Sequence, residues 1–189
     1  RGIYENIGNS DSIGFTLRLI INKNDQWKIY GTDTKVLLKK TCPLDINTFT
    51  GYCTVSSTYF RSYMPNVSLR LIKSKIDPDN ANGIILENYF YDGFDVKIGL
   101  DTSNPLHPLL KMKEQVFAST SDAFGTIYGD GKIRITQPSL YTSYYSTCEA
   151  FAFQYMTLHV PNVGTVGTYI NVIKWISDDE AAKLKREGY

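Results

Sequence analysis

The stretch Glu149-Ala-Phe-Ala-Phe-Gln-Tyr-Met-Thr-Leu-His-Val160 reads as one long β-strand. Its even positions include Ala150, Ala152, Met156, Leu158 and Val160, and its odd ones Phe151, Phe153 and Tyr155. Successive side chains of a strand point to opposite faces, so both faces of this one are largely apolar. Residues 166–176 repeat the feature, with Ile170, Val172 and Ile176 set against Tyr169, Ile173 and Trp175. Pro161 and Gly164 lie between the two runs and mark a turn. Such a pair predicts central strands covered by another layer; the competing reading puts one face under a neighbouring subunit.

Working outward, the same period of two recurs along the chain. Phe15, Leu17, Leu19 and Ile21 alternate with Thr16 and Arg18, Val67, Leu69 and Leu71 with Ser68 and Arg70, and Ile133 and Ile135 flank Arg134. Further runs rich in β-branched and aromatic residues cover 26–30, 34–39, 52–60, 84–91, 94–99, 113–118 and 124–128. Asp92-Gly93 and Asp130-Gly131 supply hairpin turns, and prolines fall between runs, where no ladder donor is needed. The pattern predicts an all-β fold: an antiparallel β-sandwich or jelly-roll-like domain of about 8–10 strands. The C-terminal end breaks the pattern. Ser177 followed by Asp178, Asp179 and Glu180, then by Lys183, Lys185 and Arg186 with Gly188 as the stop, predicts a short helix over 177–188. No repeat or linker divides the chain, so a single domain over 1–189 is expected, with 1–12 as an extended arm.

Composition limits the function classes. The 189 residues are 42% hydrophobic and 21% charged with a net charge of +1, which excludes a disordered or coiled-coil chain. No apolar run reaches the roughly 18 residues of a membrane-spanning helix. Residues 17–75 hold ten Lys/Arg against three acids, whereas 76–189 hold nine against fourteen. That split suits head-to-tail assembly or an anionic partner, but with no arginine-rich arm it does not predict strong nucleic-acid binding. The chain begins at Arg1, without methionine, so an upstream leader or precursor segment is expected to have been removed. Cys42 and Cys53 flank a turn-rich segment and could close a hairpin, leaving Cys148 over; three unpaired thiols is the alternative.

Catalytic chemistry finds little footing. The chain has two histidines: His107 between prolines and His159 near a strand end, neither beside a nucleophile elbow. Glu87, Asp95, Glu114 and Glu149 are the strand carboxylates from which a glycosidase pair would have to come, Glu149 opening the most apolar run. Asp77-Pro-Asp79-Asn80-Ala-Asn82-Gly83 fails the EF-hand spacing and reads as a turn. Gly164-Thr-Val-Gly167 opens a strand and has no phosphate-binding lysine. No catalytic residue, metal site or cofactor is assigned. The residues that suit contact are tyrosines: Tyr141, Tyr144 and Tyr145 in a Ser/Thr-rich segment, with Tyr59 and Tyr63 as a second patch.

The expectation is a non-enzymatic structural or surface subunit working through protein–protein contacts, of the virion-coat or appendage type. Its partners would be copies of itself or a surface receptor, and its place extracellular, on a cell surface or in a virion. A carbohydrate-binding adhesin using the same tyrosines is the alternative, and a β-sandwich hydrolase the third reading.

Overall fold

The computed structural model describes residues 12–23, 26–39, 42–104 and 106–189. The arm expected over 1–12 therefore lies, but for Ser12, outside them. Contacts divide the chain into two compact units, Arg1–Thr41 and Cys42–Tyr189. In the first, strand β1 (Ser12–Lys23) pairs antiparallel with β2 (Gln26–Lys39), with a register shift between Leu17 and Leu19. The runs expected separately at 26–30 and 34–39 are thus one strand.

The second unit carries strands β3 (Gly51–Ser57), β4 (Arg70–Ile76), β5 (Gly83–Glu87), β6 (Val96–Asp101) and β7 (Leu109–Lys111). It continues with β8 (Gln115–Ser119), β9 (Lys132–Thr136), β10 (Tyr144–Ser146), β11 (Phe151–Val160) and β12 (Gly164–Trp175). Among the described residues three short α-helices, α1 (Thr58–Tyr63), α2 (Thr120–Phe124) and α3 (Asp178–Arg186), and a 3-10 turn over Ile46–Phe49 complete it. Strands β3 to β7 form a meander that passes from β7 to β10, then to β11 and β12, and β12 pairs back onto β3. The result is a closed eight-stranded antiparallel up-and-down barrel, not the expected sandwich or jelly roll. The correction has one physical cause: Cys53–Ser57 hydrogen-bonds with Asn171–Trp175 across the seam, so one sheet closes on itself and its edges vanish. The hairpin β8–β9 is inserted between β7 and β10 and pairs with the far half of β11 through Thr136 to Arg134.

The lumen is filled. At the end where β3 begins, Phe49 packs edge-on against Tyr145 and Trp175, with ring centres 5.5 and 4.9 Å away. Ser74 receives the Trp175 indole N–H at 2.8 Å and donates to the Phe49 carbonyl at 2.9 Å. Midway, Ser57 donates to Asn171, whose amide donates to Gln154 Oε1 at 2.9 Å; the Tyr89 hydroxyl donates to the same oxygen at 2.6 Å. Gln154, Asn171 and Tyr89 are fully buried, so each polar group in this chain has the partner that burial demands. Burial drives the Tyr89 phenol well above its ordinary pKa. At the other end α1, the β5–β6 connection and β8 pack Tyr59, Phe90 and Phe117 into an aromatic plug.

The C-terminal helix forms as expected, with the Ser177 hydroxyl accepting the Glu180 N–H at 3.2 Å. The strand expected at 124–128 does not form. Ser119 instead caps α2 by accepting from Asp122 N at 3.0 Å, and Gly125 ends that helix in the left-handed region at φ 72°. A disulfide joins Cys42 to Cys148 while Cys53 stays buried and free, which corrects both expected cysteine arrangements. Burial pushes the Cys53 thiol up to about 12.

Candidate functional site

Around the barrel wall the outward positions are not alike. On β3 to β7 they include Thr54, Ser56, Lys73, Lys75, Lys97 and Lys111, the polar choice that water favours, with Tyr52, Leu71, Ile85 and Leu109 set singly among them. On β10 and β11 they are Tyr144, Phe151, Phe153 and Tyr155, and on the neighbouring turns of β12 Ile170 and Val172. The rings are ordered among themselves. Tyr144 stacks on Phe153 with centres 5.4 Å apart, and Tyr141, from the preceding loop, stacks on Tyr155 at 4.8 Å. Phe153 and Tyr155 meet edge to face at 5.3 Å. Tyr141 is 50% exposed, Tyr144 and Val172 41%. With an aromatic side chain presenting about 150–250 Å² in all, the strip leaves roughly 400 Å² of apolar surface to solvent. That is large for scattered exposure and comparable to the biggest patch of an ordinary monomer.

The tyrosines singled out by sequence part ways here. Tyr141 and Tyr144 belong to the strip. Tyr145, one residue on, faces inward and is 3% exposed, its phenol raised by burial. Tyr59 is fully buried in α1, its hydroxyl 2.8 Å from that of Tyr91, and Tyr63 stacks on it at 4.7 Å. Neither Tyr145 nor Tyr59 can touch a partner without unfolding. The other strip members, Phe151, Phe153 and Tyr155, were visible in the sequence as the second apolar face of the 149–160 run, though not singled out as contact residues.

The remaining candidates disperse. His107 is exposed in its loop, and His159 lies at the β11 end with Nε2 3.5 Å from Glu114 Oε2. Glu114 also faces Arg134 at 3.9 Å. Glu87 is paired with Lys75, Asp95 accepts the Asn88 N–H at 2.9 Å, and Glu149 is exposed in the β10–β11 turn. In the Asp77–Gly83 loop the place a cation would take belongs to the Lys97 ammonium, 3.0 Å from Asp77 and 3.2 Å from Asp79. That hydrogen bond holds the Asp77 carboxyl below its usual range and the Lys97 ammonium above its own. Among the described residues no group of three or more His, Cys, Asp or Glu is placed to hold a metal, and no helix is long and apolar enough to cross a membrane.

Residues 29–187 match the family model described as Domain of unknown function (DUF4984), and the chain belongs to that family. No curated protein matches it.

Proposed function

We propose that this DUF4984 domain is a non-catalytic surface or structural subunit that works by protein–protein contact, its outward aromatic strip seated against a second copy of the chain. The observation that carries the reading is the contrast on one barrel wall: a continuous set of stacked aromatics on β10 and β11, against lysines and hydroxyls that separate the apolar residues on β3 to β7. An aromatic, uncharged centre with a polar margin is the anatomy of a protein interface. The margin is present in Ser56, Thr142, Thr157, Thr168 and Lys174. A second copy fits because the strip carries no charge of its own, so two of them can meet without juxtaposing like charges. A net charge of +1 adds almost no long-range repulsion. The strip's roughly 400 Å², enlarged by that margin, approaches the 800 Å² or so that each partner gives a standard interface.

The strip favours protein over sugar as the partner. Each exposed tyrosine gives one ring face to a neighbour, and no carboxylate or amide stands among the strip's side chains to hold hydroxyls. The Cys42–Cys148 disulfide supports an oxidising compartment, as on a cell surface or outside the cell.

Sedimentation equilibrium tests the proposal. The chain is expected to associate at about 100 µM, where any contact with Kd below about 10 µM is populated. Tyr144→Ser combined with Phe153→Ser, both outward, is expected to leave a folded monomer. A wild-type chain that stays monomeric at that concentration, or a double variant that associates as well as wild type, overturns it.

A further inference from the structure

A barrel of eight strands can hold one small ligand in its lumen. Here the lumen is occupied by side chains, and the built hollow lies outside it, on the β6–β7 part of the wall, beside the strand β10 that begins the aromatic strip. A cavity of about 510 Å³ opens where the chain leaves β7 for β8. Ile98 and Gly99 of β6 form its floor, residues 111–115 and Gln137 its walls, and residues 77–80 contribute Asp77, Asp79 and Asn80 to its rim. The size is that of an ordinary small-molecule site.

The walls are held in place by side chains that imitate a strand. Gln115 Oε1 accepts the Lys97 N–H at 2.7 Å while its amide donates to the carbonyls of Lys97 at 2.8 Å and Lys113 at 3.2 Å. Gln137 Oε1 accepts the Met112 N–H at 3.1 Å. The floor is bare because the outward residue in mid-strand is Gly99. Nothing in its backbone requires glycine: its φ is not positive, and a Cβ there would meet Asn80 Nδ2 at 3.6 Å and the Lys111 carbonyl at 3.8 Å, ordinary contacts. A strand glycine of this kind marks a close approach by something else.

The polar groups left over in the cavity are mostly donors. Of the three carboxylates that line it, Asp77 and Asp79 are engaged by Lys97, while the half-exposed Glu114 faces only His159 at 3.5 Å and Arg134 at 3.9 Å. Lys111 has only Asp101, at 3.9 Å, and Lys113 has no carboxylate within 4 Å among the described residues. The amide oxygens of Asn80 and Gln137 accept the Asn82 and Met112 N–H groups, which leaves their NH₂ groups as donors. Two ammonium groups and two amide NH₂ groups thus line the cavity, against the one loosely paired carboxylate of Glu114. No arginine fork or helix N-terminus cradles a phosphate here; the set suits one carboxylate on the lysines and hydroxyls on the amides.

We infer that this cavity binds a small carboxylate-bearing polyol, a sugar acid, independently of the aromatic strip. Calorimetric titration of the full chain with glucuronate, glucose and inorganic phosphate tests it. Glucuronate is expected to bind with an affinity that falls as salt rises, and neither glucose nor phosphate is expected to match it. Lys113→Met should weaken it about fivefold, the range of an exposed charge pair. Gly99→Ala, which the fold accommodates, should weaken it further by raising the floor. No binding of glucuronate at about 10 mM, an equal response to glucose or phosphate, or unchanged affinity in both variants overturns the inference.

Discussion

Removing the Cys42–Cys148 disulfide is the perturbation whose size the fold sets most directly. The bond spans 106 residues of sequence, and a cross-link restricts the unfolded chain more as the loop it closes lengthens. For a loop near 100 residues the chain-entropy model gives about 4.7 kcal/mol at 25 °C, and measured native disulfides fall at about 2–5. The loop here encloses β3 through β10, most of the barrel, so no smaller unit could unfold and escape the constraint. Cys42→Ala combined with Cys148→Ala should therefore lower the unfolding free energy by about 3–4 kcal/mol and the melting temperature by roughly 10 °C.

The assay is equilibrium denaturation of oxidised, reduced and doubly substituted protein, followed by near-ultraviolet circular dichroism. A thiol titration frames it. The oxidised chain should show no reactive thiol when native, because Cys53 is buried with its pKa near 12, and one when denatured; reduction should yield all three. Because the effect lies in the unfolded state, the unfolding rate should change little and refolding should slow. Coincident denaturation midpoints for the oxidised and doubly substituted chains would refute the reasoning, as would proteolytic peptides linking Cys42 to Cys53.

Three other outcomes follow from named contacts. Gln154→Leu should cost about 1–3 kcal/mol in denaturant unfolding, since it strands the fully buried Tyr89 hydroxyl and Asn171 amide that now share Gln154 Oε1. Asp77→Asn should flatten the acid limb of stability: the wild-type carboxyl is held below 3.8 by Lys97, so its contribution is intact above that pH and fades as pH falls towards the lower folded value. The wild type should therefore lose more than the variant between pH 4 and pH 2, read as a drop in melting temperature. Gly129→Ala should destabilise by about 1–3 kcal/mol, because φ is 56° and a Cβ would come within 3.0 Å of the Pro161 carbonyl and Val163 Cγ2; thermal melting checks it.

The strands were legible wherever alternation ran long enough. Runs at 151–160 and 164–175 appear almost as read, since β-branched and aromatic residues fill much of both and Pro161 and Gly164 mark the turn between them. Their two-sided apolarity has two sources: the even face of β11 lies in the lumen, and the odd face carries the strip. What stayed hidden depended on pairing partners. Alternation is the same in a sandwich and a barrel, and the seam from Val55 to Ile173 joins residues more than a hundred positions apart. Strands β7 and β10 span three residues each, too short to carry a period. The cysteine pairing is a matter of closure too, for Cys148 reaches Cys42 only once β10 and β11 have turned beside the barrel mouth. A signal for α2 was present but passed over: Ser119 and Asp122, three apart, make the capping pair that ends β8.

The separation of Tyr144 from Tyr145 shows why contact residues were harder to read than strands. Composition treats the two as equals, but register gives one to solvent and the other to the core, and register is fixed by the pairing of Tyr144 with Phe153. Sliding β10 by one residue would bury Tyr144 and expose Tyr145, so three residues of pairing decide which tyrosine a partner meets. The Cys148 turn follows directly on β10 and holds that register. The same consideration favours the outer wall over the lumen as the place for the contacts we propose. A lumen closed by Phe49, Trp175 and the Gln154 chain admits no ligand without disrupting buried hydrogen bonds, each costly to strand. The wall is where this chain departs from what water alone would select, once in the aromatics of β10 and β11 and once in the bare floor at Gly99. Strands β7 and β10 separate Gly99 from Phe153, so Phe153→Ser and Gly99→Ala should act independently, each leaving the other's binding unchanged.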